Sequence, residues 1–474
     1  MKASQKVDFT TGPLLKKIIL YALPIVGVNV LQILFTTADI AVLGIFTNDQ
    51  AVAAVGATSA IVNLMVGFFV GLSLASNVLV ARCVGAKDSE RAKKIVGTSV
   101  FVSVIFGFFL MVIGVILAER MLVWTNCDPL VLPYATTYLR IYFLGMPVIM
   151  LYNFGAGVLR GVGNTLKPLL FLITGGVINI ILNIFFVIVL KIDVAGVAIA
   201  TVVSQAVSAF GGLYLMIKDD GYAKLERKYL KIFKSEFISI LWIGLPLGLS
   251  KCLFSFSNVL IQSNLNKLGD LAMTSFSITK EIDGFIGETI HGFALASIAV
   301  ISQNYGAKNI KRIAKAIFIS MGIMATICVV LSSVLFFAGE SLCGLITDTE
   351  EVIKYCKVRI NVMGTTYIAL GMLHVILESL RGMGYSFTAM LLSMIANILF
   401  RVVYLIFIYP VVCVSGDIAQ NLSMLYLVYP ISWAFCAIAG GIILAVFYKK
   451  VKRDFDKEKV LDKEQLTDEI GEVK

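Results

Sequence analysis

Asp39 is an acid set inside a long apolar run. A charged side chain at membrane depth costs about 2.5–3.5 kcal/mol on insertion scales, so it calls for a function or a partner. At 1.5 Å per helical residue, Asp39 lies roughly 33 Å along its run from Lys17, in the outer half. Asn179 and Asn183 sit one turn apart on one face of a second run, roughly 18 and 24 Å from Lys167. Thr201 lies roughly 10–12 Å in from the outer end of a third. The four can share one level. One carboxylate, two amide carbonyls and a hydroxyl make an all-oxygen set with a single formal negative charge. Such a set suits a hard monovalent cation such as Na+, or a proton held by the carboxylate, and is too weakly charged for a Ca2+ cage. The plainer reading is that these residues only join helices by hydrogen bonds.

A second concentration of chemistry is the run that holds Lys280, Glu281, Asp283, Glu288 and His291. Glu281 and Glu288 are seven apart on nearly one helical face, and His291 is one turn beyond Glu288. Asp283 is three residues from Lys280, its expected partner. Two readings stay open: a cation-attracting cavity wall or second proton site, and an ion-pair network of Lys251 and Lys280 with these acids. Glu378 and His374 are expected to make interhelical contacts, with Arg401 a partner for Glu378. Tyr142, Met146, Tyr152, Phe285, Tyr367 and Met372 are the aromatic and methionine residues expected to line an adaptable cavity.

The elements that carry these groups follow from composition. Of 474 residues, 58% are apolar and 15% charged, too apolar for a soluble domain. Stretches long enough to cross about 30 Å of hydrocarbon occupy residues 18–46, 51–80, 95–117, 131–157, 168–190, 194–217, 237–264, 271–303, 313–337, 352–379, 386–410 and 422–448. They are too long and too weakly alternating for barrel strands. Of the 40 Lys and Arg, 30 fall on the face that carries both termini, 7 on the opposite face, Arg359 among them, and 3 inside spans. By the positive-inside rule the termini are cytoplasmic. The net charge of +10 is then a topology signal, and no nucleic-acid partner is expected. Eight scattered cysteines and two histidines make neither a disulfide framework nor a metal cluster.

The chain repeats itself. Gly85-Ala86-Lys87, with Arg91 and Lys94, recurs as Gly306-Ala307-Lys308 with Arg312 and Lys315, at an offset of 221. Arg160-Gly161-Val162-Gly163 recurs as Arg381-Gly382-Met383-Gly384 at the same offset. The expected fold is an all-α polytopic membrane protein: twelve transmembrane helices in two parallel six-helix repeats around a central cavity. The lobes are residues 1–217 and 237–448, joined by a basic linker 218–236 and followed by a charged, solvated tail 449–474. The offset partners of Asp39, Asn179, Asn183 and Thr201 are Leu260, Phe400, Tyr404 and Leu422, so the oxygen set belongs to one half.

Arg-Gly-x-Gly after spans 4 and 10, Gln303-Asn304-Tyr305-Gly306-Ala307 after span 8, and Ala38-Asp39 with Leu43-Gly44 resemble loops and spans of the multidrug and toxic compound extrusion (MATE) family. The resemblance runs in order along essentially the whole chain. It implies an antiporter exporting organic, often cationic, compounds in exchange for Na+ or H+, with no other cofactor. It also implies that Asp39, Asn179, Asn183 and Thr201 match the family's cation site, in which some members have an aspartate where this chain has Asn183. That difference favours Na+. An acid pair of one branch is missing, since span 7 offers Phe254 and Ser255 and span 10 offers Leu370. The rival readings are a flippase for a lipid-linked saccharide precursor, supported by Lys251, Lys280 and Arg401, and, remotely, a membrane-embedded enzyme using Glu281, Glu288 and His291. No P-loop, HExxH or nucleophile-elbow pattern occurs. A monomer in a bacterial inner membrane is expected.

Overall fold

A computed structural model describes residues 6–413 and 417–472, and every regular element among them is helical. Spans 1 to 3 are α1 (Leu14–Phe46), α2 (Asp49–Ala86) and α3 (Ser89–Trp124). Span 4 is α4 (Leu132–Leu144) with α5 (Met146–Gly161), and span 5 is α6 (Leu166–Ile184) closing in a π-turn at Phe185–Val189. Spans 6 to 9 are α7 (Asp193–Lys218), α8 (Lys234–Leu265), α9 (Asp270–Gly306) and α10 (Ile310–Gly344). Span 10 is α11 (Glu350–Gly364) with α12 (Tyr367–Gly382). Span 11 is α13 (Ser386–Met394), α14 (Phe400–Val403) and α15 (Tyr409–Val412), linked by π-turns at Ile395–Leu399 and Tyr404–Ile408. Span 12 is α16 (Ile418–Glu472). The side chains of Phe254 and Ser255 lie outside the described residues.

Among the described residues ten helices are long and apolar enough to cross a membrane, and two bent pairs bring the number to twelve. The bends, 52° between α4 and α5 and 47° between α11 and α12, fall at equivalent places in the two repeats. Each has a local cause. Pro147 at the start of α5 lacks the N–H that would continue the ladder. At the second bend, Thr365 and Thr366 hydroxyls donate back to the Asn361 and Val362 carbonyls at 3.3 and 3.2 Å, which competes with the helix.

The contacts that join the two repeats gather on the side of the termini. At Gly71 on α2 an added Cβ would lie 2.7 Å from the Gly248 Cα on α8, so the backbones touch. Nearer the termini side, α2 and α9 meet at the repeated motif: a Cβ on Gly85 would fall 1.8 Å from the Gln303 carbonyl, and one on Gly306 2.0 Å from the Arg82 carbonyl. Arg82 then donates to the Gly382 carbonyl at 3.2 Å and lies over the Tyr305 ring. The segment before α1 seals the seam. Phe9 is fully buried, its N–H donates to Gln303 Oε1 at 2.9 Å, and its carbonyl accepts from Arg312 Nε at 2.6 Å. Further out, Asn29 Nδ2 donates to the Glu288 carbonyl at 3.2 Å and Cys252 Sγ to the Leu64 carbonyl at 3.7 Å.

The charged tail is helical among the described residues. α16 runs through Glu472, and one stripe of its first turns past Lys449 is held down. Val451 and Phe455 are buried, the Phe455 ring packs 5.2 Å from Tyr305, and Lys308 pairs with Glu458 at 2.9 Å.

Candidate functional site

The approach of three helices builds the site in the first repeat. Gly176 on α6 has no side chain, so the Phe35 ring of α1 packs where a Cβ would fall, 1.7 Å away. Gly175 does the same for α7, with Ser208 Oγ 2.4 Å from its would-be Cβ. One turn farther from the termini, α1 presents Asp39, α6 presents Asn179 and Asn183, and α7 presents Thr201. All four meet. Asn183 Nδ2 donates to Asp39 Oδ1 at 2.5 Å and to Asn179 Oδ1 at 3.3 Å. Thr201 Oγ1 lies 3.4 Å from Asp39 Oδ2, and Asn179 Nδ2 3.5 Å from Thr201 Oγ1.

Asp39 is only 7% exposed, and no Lys, Arg or His pairs with it among the described residues. Asn183 Oδ1 is buried with no donor at all. The cluster is therefore acceptor-rich, which is the chemistry of a site for Na+ or a proton. Nothing among the described residues gathers three His, Cys, Asp or Glu for a heavier metal. Tyr138 and Tyr142 stack at 6.1 Å beside Asp39. Tyr138 went unread in the sequence, although it lies one turn from Tyr142 on the same face. Met146 is fully enclosed in the core and presents no surface to a cavity in this conformation.

The charges of α9 separate. Asp283 pairs with Arg359 on α11 at 2.5 Å and accepts from the Tyr367 hydroxyl on α12, not from Lys280. Lys280 and Glu281 are exposed on another face of α9. Arg359, counted above with the opposite surface, is 4% exposed under the rings of Phe276 and Tyr426. The apolar residues that follow it, Ile360, Val362 and Met363, were the available signal. Glu288 is half-exposed with His291 Nδ1 3.7 Å away, and His291 meets His374 at 6.0 Å between ring centroids. Glu378 pairs with Arg381 on its own helix, so Arg401 is not its partner. Arg401 lies too far along span 11 from the termini side to reach it.

Breaking the Asp283–Arg359 pair has a clear expected result. Arg359→Met leaves a buried carboxylate uncompensated and is expected to cost about 3–5 kcal/mol. The double variant Asp283→Asn/Arg359→Met is expected to recover most of that loss. Thermal unfolding of the purified protein in detergent reads both.

Residues 24–185 and 246–407 each match the MatE family model. A probable multidrug resistance protein, YpnP, of Bacillus subtilis (strain 168) is 28% identical over 306 residues, covering 65% of this chain and 68% of that one. The multidrug export protein MepA of Staphylococcus aureus (strain MSSA476) is 21% identical over 393 residues, covering 82% and 84%. Among solved structures, the outward-facing conformation of a multidrug resistance MATE family transporter of the MOP superfamily superposes with a TM-score of 0.87 at 20% identity, over 96% of this chain and 100% of that one. At that identity the likeness shows the fold.

Proposed function

The chain belongs to the MatE family of multidrug transporters, and we propose that it works as a secondary antiporter that exports organic cations in exchange for Na+ or H+ bound at Asp39. It is a multi-pass membrane transporter and not an enzyme. The observation that carries the coupling reading is the buried Asp39 carboxylate, without a cationic partner among the described residues and ringed by Asn179, Asn183 and Thr201. In the proposed cycle the termini are cytoplasmic, and residues 1–217 and 237–448 move as two lobes of a monomer joined by the linker 218–236. An ion entering from the opposite side neutralises Asp39. Pro24 and Gly27 give α1 a place to bend in response, and the drug leaves outward.

Glu281, Glu288 and His291, with Tyr142, are the groups proposed to attract the cationic drug; Asp283 is engaged by Arg359 and serves the wall's shape. The single acid among neutral oxygens supports Na+ over a purely proton-driven cycle. Ethidium efflux from reconstituted vesicles, driven separately by a Na+ gradient and by a pH gradient, tests this reading. Efflux under the Na+ gradient alone is expected. Efflux under the pH gradient alone would assign the proton instead, and none under either would defeat the antiporter.

A further inference from the structure

The second repeat holds three buried arginines among the described residues, Arg359, Arg381 and Arg401. The first two have carboxylate partners, Asp283 and Glu378. Arg401 has none, although its side chain is wholly enclosed. Its Nη1 donates to Ser257 Oγ at 2.7 Å, and its guanidinium lies 4.5 Å from the Tyr429 ring centroid. Nε and Nη2 donate to nothing. An enclosed guanidinium with unused donors is strongly unfavourable, so its retention inside a span needs a reason.

The identity of the unused pair narrows that reason. Nε–H and the neighbouring Nη2–H point the same way along one edge of the guanidinium, which matches the two oxygens of a carboxylate. Tyr426, one turn from Tyr429 toward the opposite side, also has a buried hydroxyl without a partner among the described residues. An unmatched donor thus also lies beyond the Tyr429 ring toward the opposite face. Arg401 itself sits in the four-residue α14 with a π-turn on each side, where a helix can shift register to admit a group.

From this geometry we infer that Arg401 binds the carboxylate of amphoteric substrates, organic cations that also carry an acid. The inference deepens the export reading and rests on it for transport, but binding stands apart. Rhodamine 110 carries a free carboxylate, and rhodamine 123 is its methyl ester with the same cationic rings, so the pair isolates the acid. Binding of each to the purified full chain is measured by fluorescence polarisation, and uptake in vesicles is measured alongside. Arg401→Gln is expected to weaken rhodamine 110 at least tenfold and rhodamine 123 less than twofold. Arg401→Lys, which keeps the charge and loses the fork, is expected to fall between and supplies the acid-to-ester ratio if the glutamine variant does not fold. Equal effects on both dyes, or no binding of rhodamine 110 by the wild type, would overturn the inference. If the wild type pumps neither dye under any gradient while Arg401-dependent binding of the acid persists, the export reading fails and this one holds.

Discussion

Asp39→Asn is expected to abolish gradient-driven efflux while leaving the protein as stable as the wild type or more so. The amide is nearly the size of the carboxylate and can still meet Asn183 and Thr201, so the α1, α6 and α7 packing has no steric reason to change. What disappears is the one formal charge in the cluster, and with it the means to prefer a cation. Coupling between two sites is typically about 1–3 kcal/mol, so what is lost is a roughly 5–150-fold effect of the bound ion on drug affinity, and with it the driven flux. The wild-type carboxylate, buried without a cationic partner, is itself unfavourable at membrane depth, by about 2.5–3.5 kcal/mol on insertion scales. Removing it relieves part of that cost, as expected where function is held at the expense of stability. Efflux assays and thermal unfolding in detergent read the two halves of the prediction. A variant that loses both activity and stability would mark Asp39 as a structural hydrogen-bond acceptor only.

The second large effect lies at the seam between the repeats. Gly85→Val and Gly306→Val are each expected to prevent the termini side from closing. The added Cβ would fall 1.8 and 2.0 Å from backbone carbonyls, of Gln303 and Arg82, and neither neighbour is a flexible side chain that can swing away. Overpacking of this kind costs about 1–3 kcal/mol, which shifts a two-state equilibrium by roughly 5–150-fold. Transport is expected to stop, and spin labels placed on the termini ends of α2 and α9 are expected to move apart. Gly287→Val on the same α9 is the control, since nothing lies within 4 Å of its would-be Cβ. Closure that persists in the Gly85 and Gly306 variants would show that α2 and α9 are not the seal.

The pairing at this seam explains why the repeat was readable at all. Gly85 and Gly306 lie 221 residues apart and face each other's neighbours, so each is fixed by the same close approach. The oxygen cluster was legible for a similar reason: polar residues at one computed depth on apolar helices have few places to go except toward each other. Depth does not give azimuth. Lys280 and Arg359 were both within reach of Asp283 by level, and only the packing of α11 on α9 decides for Arg359. Arg401 was a different case, since depth alone separates it from Glu378, which a residue on its own helix already satisfies. The bends in spans 4 and 10 went unread because a window of apolar residues stays apolar across a break, although Pro147 marked one of them. The contacts that hold the start of the tail were hidden because Val451 and Phe455 are diluted by charge yet fall on one face.

The most direct test runs the cycle backward. With the wild-type protein in vesicles, an imposed ethidium gradient and no ion gradient, the coupling account predicts movement of Na+ in the opposite direction, followed with radioactive sodium, and none with Asp39→Asn. Ethidium flux that moves neither Na+ nor protons, or ion movement that survives Asp39→Asn, would contradict it.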